Sequence, residues 1–157
     1  MQIYYLMLYF FVYGFLGWCT EVAYATTKQR KFVNRGFLNG PICPIYGVGV
    51  TVVVYFLTPY KDNLILLYVL STVLVTVLEG LTGYLMDKIF HHKWWDYSEK
   101  KFNFDGYICL QYTVLWGLLG CIAMKYGNHL LAGLFDMVPS LVRKIIIWVL
   151  IGAAVID

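Results

Sequence analysis

The chain has 157 residues, of which 61% are hydrophobic and 13% are charged, with a mean hydropathy of +0.68 and a formal net charge of +3. An average soluble domain carries about 25% charged residues. A single core of this length could not hide so much apolar surface, so the composition excludes a soluble globular domain and predicts an integral membrane protein. The small net charge gives no sign of nucleic-acid binding.

Five apolar stretches follow one another along the chain, at residues 3–26, 41–59, 64–90, 107–124 and 141–157. A helix needs about 20 apolar residues to cross a bilayer. Prolines 41, 44 and 59 lie at the ends of the second stretch, where they disturb a helix least. The sequence therefore predicts an all-α, polytopic transmembrane helix bundle of about five spans. We expect one domain over residues 1–157, and no internal repeat is apparent.

Two further segments are the first apolar stretch and the region between the last two apolar stretches. The first apolar stretch has no basic residues before it and no small-residue cleavage site after it, so we expect a retained span and not a cleaved signal peptide. Residues 125–140 are of mixed composition, and a loop, an interfacial helix and a re-entrant segment all remain open for them.

The distribution of Lys and Arg predicts the orientation. Residues 27–40 and 88–106 hold eight of these cations, whereas the alternate loops hold four. By the positive-inside rule both basic loops face the cytoplasm, and the N-terminus lies outside a multi-pass protein of the cytoplasmic (cell) membrane. Arg143 and Lys144 count against this orientation.

Two acids, Glu21 and Glu79, lie inside predicted spans. Small residues and threonines share a helical face with them: Gly14 and Gly17 with Glu21, and Thr72, Thr76 and Gly83 with Glu79. Such faces mark helix–helix contacts in membranes, so both carboxyl groups should point at another helix. A charge at membrane depth costs about 2.5–3.5 kcal/mol. Each acid is therefore protonated or meets a cation or donor, for which Arg35 is the best candidate. A structural ion pair and a substrate contact both remain open.

The first basic loop holds two more candidates, Asn34 and Arg35, just before the second span. The planar fork of an arginine suits a carboxylate or a phosphate. The alternative is an arginine that anchors the helix end among lipid head groups.

The second basic loop holds Trp95, Asp96 and Asn103. Two adjacent tryptophans beside an acid suit a polar site, although an aromatic belt at the interface is the alternative. Asp96 could cap a short helix, and Asn103 could close a turn before Gly106.

We predict that these side chains form a substrate-binding site at the cytoplasmic ends of the helices: Glu21, Asn34, Arg35, Glu79, Trp95, Asp96 and Asn103. Gln111 and Trp116 could line it. His91 and His92 could bind a metal, but adjacent histidines in a basic loop are more often solvated, so we predict no metal and no cofactor. No nucleophile–base pair stands out, so no catalytic residue is predicted.

Two blocks of residues resemble a known family. The first holds Gly17-Trp18, Glu21, Asn34-Arg35-Gly36-Phe37-Leu38, Gly40-Pro41 and Cys43-Pro44-Ile45-Tyr46-Gly47. The second holds Glu79, Thr82-Gly83, Trp94-Trp95-Asp96-Tyr97-Ser98, Phe102-Asn103, Gly106, Ile108-Cys109-Leu110 and Trp116-Gly117. Over about residues 10–120 the chain resembles the bacterial ABC-transporter permease family of the CmpB type. The resemblance implies a permease subunit.

Three functions remain in competition. In the first, the chain is a transporter permease subunit, and a separate ATPase subunit hydrolyses ATP because the sequence holds no GxxxxGK[ST] phosphate loop. In the second, it is a membrane-embedded enzyme that acts on a lipid or isoprenoid head group. In the third, it binds membrane lipid without turnover. The resemblance favours transport, and we expect a homo-oligomer.

Overall fold

The computed structural model describes residues 2–37 and 39–157, so Leu38 of the first family block lies outside the described residues. The helices are α1 (Gln2–Gln29), α2 (Pro44–Leu57), α3 (Leu64–Phe90), α4 (Leu110–Ile122), α5 (Asn128–Asp136) and α6 (Ser140–Ile156). A short 3-10 turn covers Thr58–Tyr60, a π-helical turn covers Ala123–Gly127, and strands β1 (Asn103–Phe104) and β2 (Ile108–Cys109) form an antiparallel hairpin. The predicted all-α membrane fold is confirmed.

Two of the helices are long enough to cross a membrane by themselves. Residues Ile3–Gln29 and Leu64–Phe90 are each 27 residues long and apolar enough to cross a membrane. The stretch Leu110–Asp136 qualifies only together with α6, to which it is joined by a sharp bend, and α2 is shorter. Five helical segments thus coincide with the five predicted stretches in the described residues. The number of crossings and the orientation remain predictions.

Local signals set the ends of α3. At its start the side chain of Asn63 accepts a hydrogen bond from the backbone N–H of Leu66 at 3.1 Å, which satisfies one of the donors exposed at a helix N-terminus. At its end His91 takes a left-handed conformation with φ 52°, and its N–H bonds the carbonyl of Asp87. Arg30 ends α1 in the same conformation, with φ 53°.

The contacts within the chain divide it into two compact units, which are described separately. The first unit holds residues 2–52 and 126–157, and the second holds residues 53–125. The single domain expected from the sequence remains a prediction.

In the first unit, glycines let α1 lie close to the chain segment at the start of α2. The backbone N–H of Cys43 donates to the carbonyl of Gly14 at 3.0 Å. A side chain at Gly17 would overlap the ring of Tyr46, and one at Gly47 would overlap the backbone of Phe10. The predicted Gly14–Gly17–Glu21 face is therefore a contact surface.

In the second unit, α3 packs closely on α4. Gly117 lies against Thr72 and Gly120 lies against Ser71, as expected for a small-residue stripe. The apolar core beside this contact is built from four buried residues: Val53, Leu57, Leu67 and Cys121.

Residues 125–140, for which the sequence left three structures open, are mostly helical. The π-helical turn leads directly into α5, which ends at Asp136, and Pro139 precedes α6. The amide of proline has no N–H, so it suits this position at the start of a helix.

Candidate functional site

The first polar cluster surrounds Glu21, in the first unit. The Tyr46 hydroxyl donates to Glu21 Oε1 at 2.6 Å. Arg35 Nε lies 3.7 Å from Glu21 Oε2, and both side chains are about one-third exposed. The cation expected for Glu21 is thus the one that the structure places beside it. Because solvent screens such a pair, it contributes little to stability and can open at small cost.

Asn34 holds the loop that carries Arg35. Its Oδ1 accepts hydrogen bonds from Trp18 Nε1 at 2.7 Å and from the backbone N–H of Gly36 at 3.0 Å. Its Nδ2 donates to the carbonyl of Asn39 at 3.0 Å. Asn34 therefore ties the loop to α1 and closes the turn that follows it.

Cys43 lies at the base of the same loop. Its thiol contacts the carbonyl of Arg35 at 3.3 Å, and burial raises the pKa of Cys43 to about 11. The group is therefore a protonated thiol at neutral pH and holds the loop by packing and a weak hydrogen bond.

Replacement of Arg35 by lysine tests whether this pair has a functional role. The variant keeps the charge but loses the planar guanidinium and its Nε contact. We expect the unfolding midpoint to change little, because an exposed pair is worth only about 0.2–1 kcal/mol. If the chain is a permease subunit, as its resemblance implies, solute transport should fall by about tenfold, equivalent to 1.4 kcal/mol. A transport assay and thermal unfolding of the same preparation check this, and full activity would reduce Arg35 to a simple anchor.

The second polar cluster surrounds Glu79, in the second unit. Glu79 is only 6% exposed. Its Oε1 accepts hydrogen bonds from Trp116 Nε1 at 2.9 Å and from the Tyr97 hydroxyl at 3.1 Å. Its Oε2 is buried and has no hydrogen-bond partner in the described part of the chain. One oxygen of this buried carboxyl group, Oε1, is thus held by hydrogen bonds, and the other, Oε2, can accept a proton or a further hydrogen bond.

Aromatic stacking fixes the two donors to Glu79. The ring of Tyr97 stacks on Tyr112 with centroids 4.7 Å apart, and Tyr112 stacks on Trp116 at 6.2 Å. Tyr112 and Trp116 are one turn apart on α4, so their rings share a face. The stack ties the loop that carries Tyr97 to the helix that carries Trp116.

Asp96 and Asn103 order the loop between α3 and α4, which ends in the β1–β2 hairpin. Asp96 Oδ1 accepts from the Ser98 hydroxyl at 2.5 Å and from the Ser98 backbone N–H at 2.9 Å. The expected helix cap at Asp96 is wrong, since this segment forms a turn. Asn103 Oδ1 accepts from the backbone N–H of Gly106 at 3.2 Å, which confirms the predicted turn. Gly106 has φ 74°, a conformation that favours glycine.

Trp95 and Tyr107 lock the hairpin onto α3. Trp95 Nε1 donates to the carbonyl of Tyr107 at 2.8 Å, and both rings lie against Gly83. The Tyr107 hydroxyl donates to Asp87 Oδ2 at 2.6 Å, and this carboxylate raises the pKa of Tyr107 to about 12. The hydroxyl therefore stays protonated at physiological pH.

Acidification should loosen the hairpin through Asp96. Hydrogen bonds from the Ser98 hydroxyl and backbone keep the pKa of Asp96 below its usual value. A depressed carboxyl pKa stabilises the folded loop above the ordinary value of about 3.9, and the contribution is lost as the pH falls through the depressed value. Tryptophan emission titrated from neutral to acid pH should show this step in wild type and lose it in Asp96→Ala. Its persistence in that variant would assign the step to another group, and Glu99→Ala is the control.

A family model described as "Putative ABC-transporter type IV" matches residues 8–157. The chain belongs to this family. The match confirms the resemblance seen in residues 10–120 and extends it to the C-terminal helices, in which no motif was recognised from the sequence. Among curated proteins and solved structures, nothing matches the chain.

In this type IV family member, the seven predicted site residues fall into two clusters. Glu21, Asn34 and Arg35 lie together in the first unit. The second unit holds Glu79, and the loop between its helices α3 and α4 carries the remaining three: Trp95, Asp96 and Asn103. Asp96 and Asn103 form the loop, and Tyr97 between them reaches Glu79. Their joint role in substrate binding remains a prediction.

The sequence did not identify the hydrogen-bond donors to the two acids. Tyr46 and Tyr97 were noted only as parts of motifs, and Trp116 only as a residue that could line the site. Tyr46 lies in the first turn of α2, and its hydroxyl reaches Glu21 on α1. No local signal identifies Trp116, because its partner lies 37 residues earlier in the chain.

A further cluster joins α1, α5 and α6 in the first unit. Asp136 Oδ1 accepts hydrogen bonds from Tyr5 and, at 2.6 Å, from Arg143 Nη1. The guanidinium of Arg143 also lies over the ring of Phe135. Arg143 therefore forms a helix–helix contact. This role explains why a cation lies in a loop that the predicted orientation places outside the cell, where few cations are expected.

Proposed function

We propose that the chain is the membrane-spanning permease subunit of an ABC transporter and that it works with a separate ATPase subunit. Its family is described as a transporter family, and two of its helices are apolar and long enough to cross a membrane. The observation that carries the proposal is the buried, half-satisfied carboxyl group of Glu79 in one of those helices.

Glu79 suits a step in which charge moves through the membrane. An intramembrane acid marks a substrate or ion pathway by default, because its burial is costly. Trp116 and Tyr97 hold one carboxyl oxygen in place, and the other oxygen can accept a proton or a donor group of the solute. The state of Glu79 can therefore change with what is bound.

Glu21 and Arg35 suit a different step. Their ion pair is partly exposed, so it can open towards a solute without leaving a deeply buried charge unpaired. Tyr46 keeps Glu21 in place when the pair opens. We propose that this pair meets the solute at the cytoplasmic side, and that Glu79 acts within the membrane.

Native mass spectrometry of the mildly purified protein tests the proposal. A co-purifying ATPase subunit, with ATP hydrolysis by the complex, is the expected result. A protein that carries no ATPase, even when enriched from cells at native expression level, would overturn the permease function.

A second candidate function, lipid binding without turnover, is favoured by two apolar grooves beside the hairpin of the second unit. One has a volume of about 370 Å³ and lies between β1, β2 and the start of α4. The other has a volume of about 420 Å³ and runs along α3 past Gly80 to Tyr107. A specific lipid in the mass spectrum, without an ATPase subunit, would support this function in place of transport.

A further inference from the structure

A short motif occurs twice in the chain. Residues 40–46 read Gly-Pro-Ile-Cys-Pro-Ile-Tyr, and residues 106–112 read Gly-Tyr-Ile-Cys-Leu-Gln-Tyr, so both match Gly-x-Ile-Cys-x-x-Tyr. Both cysteines are buried, and each immediately precedes a short helix, Cys43 before α2 and Cys109 before α4. The motif therefore has the same structural place in both copies, where a loop returns into a helix.

The elements around the motif repeat as well. The preceding helices, α1 and α3, have 28 and 27 residues, and the following helices, α2 and α4, have 14 and 13. Each long helix ends with a Tyr-x-x-x-Lys sequence in which the lysine lies over the tyrosine ring. The distances to the ring centroid are 6.0 Å for Lys28 over Tyr24 and 5.7 Å for Lys88 over Tyr84.

Each copy also holds its acid in the same way, with a shift of one helical turn. In the first copy the motif tyrosine, Tyr46, donates to Glu21. In the second copy the donor on the short helix is Trp116, which lies four residues after the motif tyrosine Tyr112, and Tyr97 of the preceding loop is a second donor. Glu79 correspondingly lies three residues further from the end of its helix than Glu21 does. The acid is offset by three residues and the donor by four, and each offset is about one turn of 3.6 residues. The acid and its donor are therefore shifted by the same amount relative to the first copy.

We propose that the chain contains two parallel copies of one acid-holding unit, α1 to α2 and α3 to α4, in which Tyr46 and Trp116 are the matching positioning residues. If α1 to α4 each cross the membrane, as the sequence predicts, the two crossings in each copy return the chain to the side from which it started, and the second copy then repeats the direction of the first. The loops differ in length and only four motif residues are identical, so the repeat becomes evident when the helix lengths and the contacts of the two acids are compared as well. The functional role of the acids rests on the proposed permease function, whereas the duplication does not.

Double-mutant cycles test the positioning roles in the full chain. Tyr46→Phe and Trp116→Phe each remove one donor, and Glu21→Gln and Glu79→Gln each remove the charge that the donor meets. We expect Tyr46→Phe to lower the thermal unfolding midpoint in wild type and to have less effect in Glu21→Gln, with the same relation between Trp116→Phe and Glu79→Gln. The effects on the unfolding midpoint should be additive when Tyr46→Phe is combined with Glu79→Gln, or Trp116→Phe with Glu21→Gln. Additivity within both copies would overturn the positioning roles.

An optical readout separates positioning from general packing. The Trp116 indole bonds the carboxyl group of Glu79, so its emission should follow the protonation of that group as pH is changed. We expect a fluorescence step that is absent in both Glu79→Gln and Trp116→Phe and retained in Trp148→Phe, which alters an exposed residue of α6. Retention of the whole step in Trp116→Phe would contradict the assignment.

Cysteine labelling tests the parallel direction of the copies. Lys31→Cys and Lys100→Cys place thiols in equivalent exposed loops, and Asp62→Cys places one in the connection between the copies. With a membrane-impermeant maleimide, the first two should label only in inverted vesicles and the third only in right-side-out vesicles, with wild type as the blank. Labelling of the two equivalent loops from opposite sides would overturn the duplication. Absence of an ATPase from the purified protein would instead refute the permease function and leave these results unchanged.

Discussion

Glu79→Gln is expected to insert and fold but to lose transport. The amide of glutamine keeps an oxygen that can accept from Trp116 and Tyr97, so the contacts of Oε1 survive. The variant cannot carry a negative charge, which removes a burial cost of about 2.5–3.5 kcal/mol. The unfolding midpoint should therefore stay equal or rise. Uptake and coupled ATP hydrolysis should fall by about 100-fold, which is the lower end of the effect on rate when a proton-transferring side chain is lost.

Uptake into vesicles that hold the chain and the proposed ATPase subunit measures this loss, and thermal unfolding of the same material measures folding. Glu99→Gln is the matched control, because it removes an exposed acid from the loop between α3 and α4 and should leave both quantities unchanged. A Glu79→Gln protein that fails to accumulate in the membrane would make Glu79 a structural residue. A fully active one would remove it from the transport path.

Features that depend on neighbouring residues could be read from the sequence. The apolar stretches fixed where helices lie, because a spanning helix needs a long apolar run. The contact between Glu21 and Arg35 could be expected, because the loop that carries Arg35 leaves the helix at the end where Glu21 lies. The turn at Asn103 and Gly106 was also predictable from residue type.

Features that depend on distant residues could not be read in the same way. The partners of Glu79 come from a loop and from the next helix, and Asp136 meets residues from both ends of the chain. The hairpin does have a local signal in the sequence, since Asp105-Gly106 is a residue pair typical of the centre of a tight turn. Both residues have positive φ, at 49° and 74°, as such a turn requires.

Gly47→Ala is expected to destabilise the protein strongly. The added methyl group would overlap the carbonyl oxygen of Phe10 and approach its carbonyl carbon to 3.0 Å and its ring to 2.9 Å. A side chain can rotate away from such an overlap, but a backbone carbonyl within α1 cannot move without the whole helix. The two helices must therefore separate along this contact. We expect a loss of about 1–3 kcal/mol, the usual scale for overpacking, seen as a lower midpoint of thermal unfolding in detergent.

Gly49→Ala provides the matched control two residues further along α2. A methyl group there meets nothing within 4 Å, so it adds no clash. Alanine also favours a helix over glycine by about 0.5–1 kcal/mol, so this variant should be neutral or more stable than wild type. The same chemical change should thus have opposite signs at two positions of one helix. Equal destabilisation by both variants would mean that α2 tolerates no added side chain at all, and the close approach of Gly47 to Phe10 would then not be the cause.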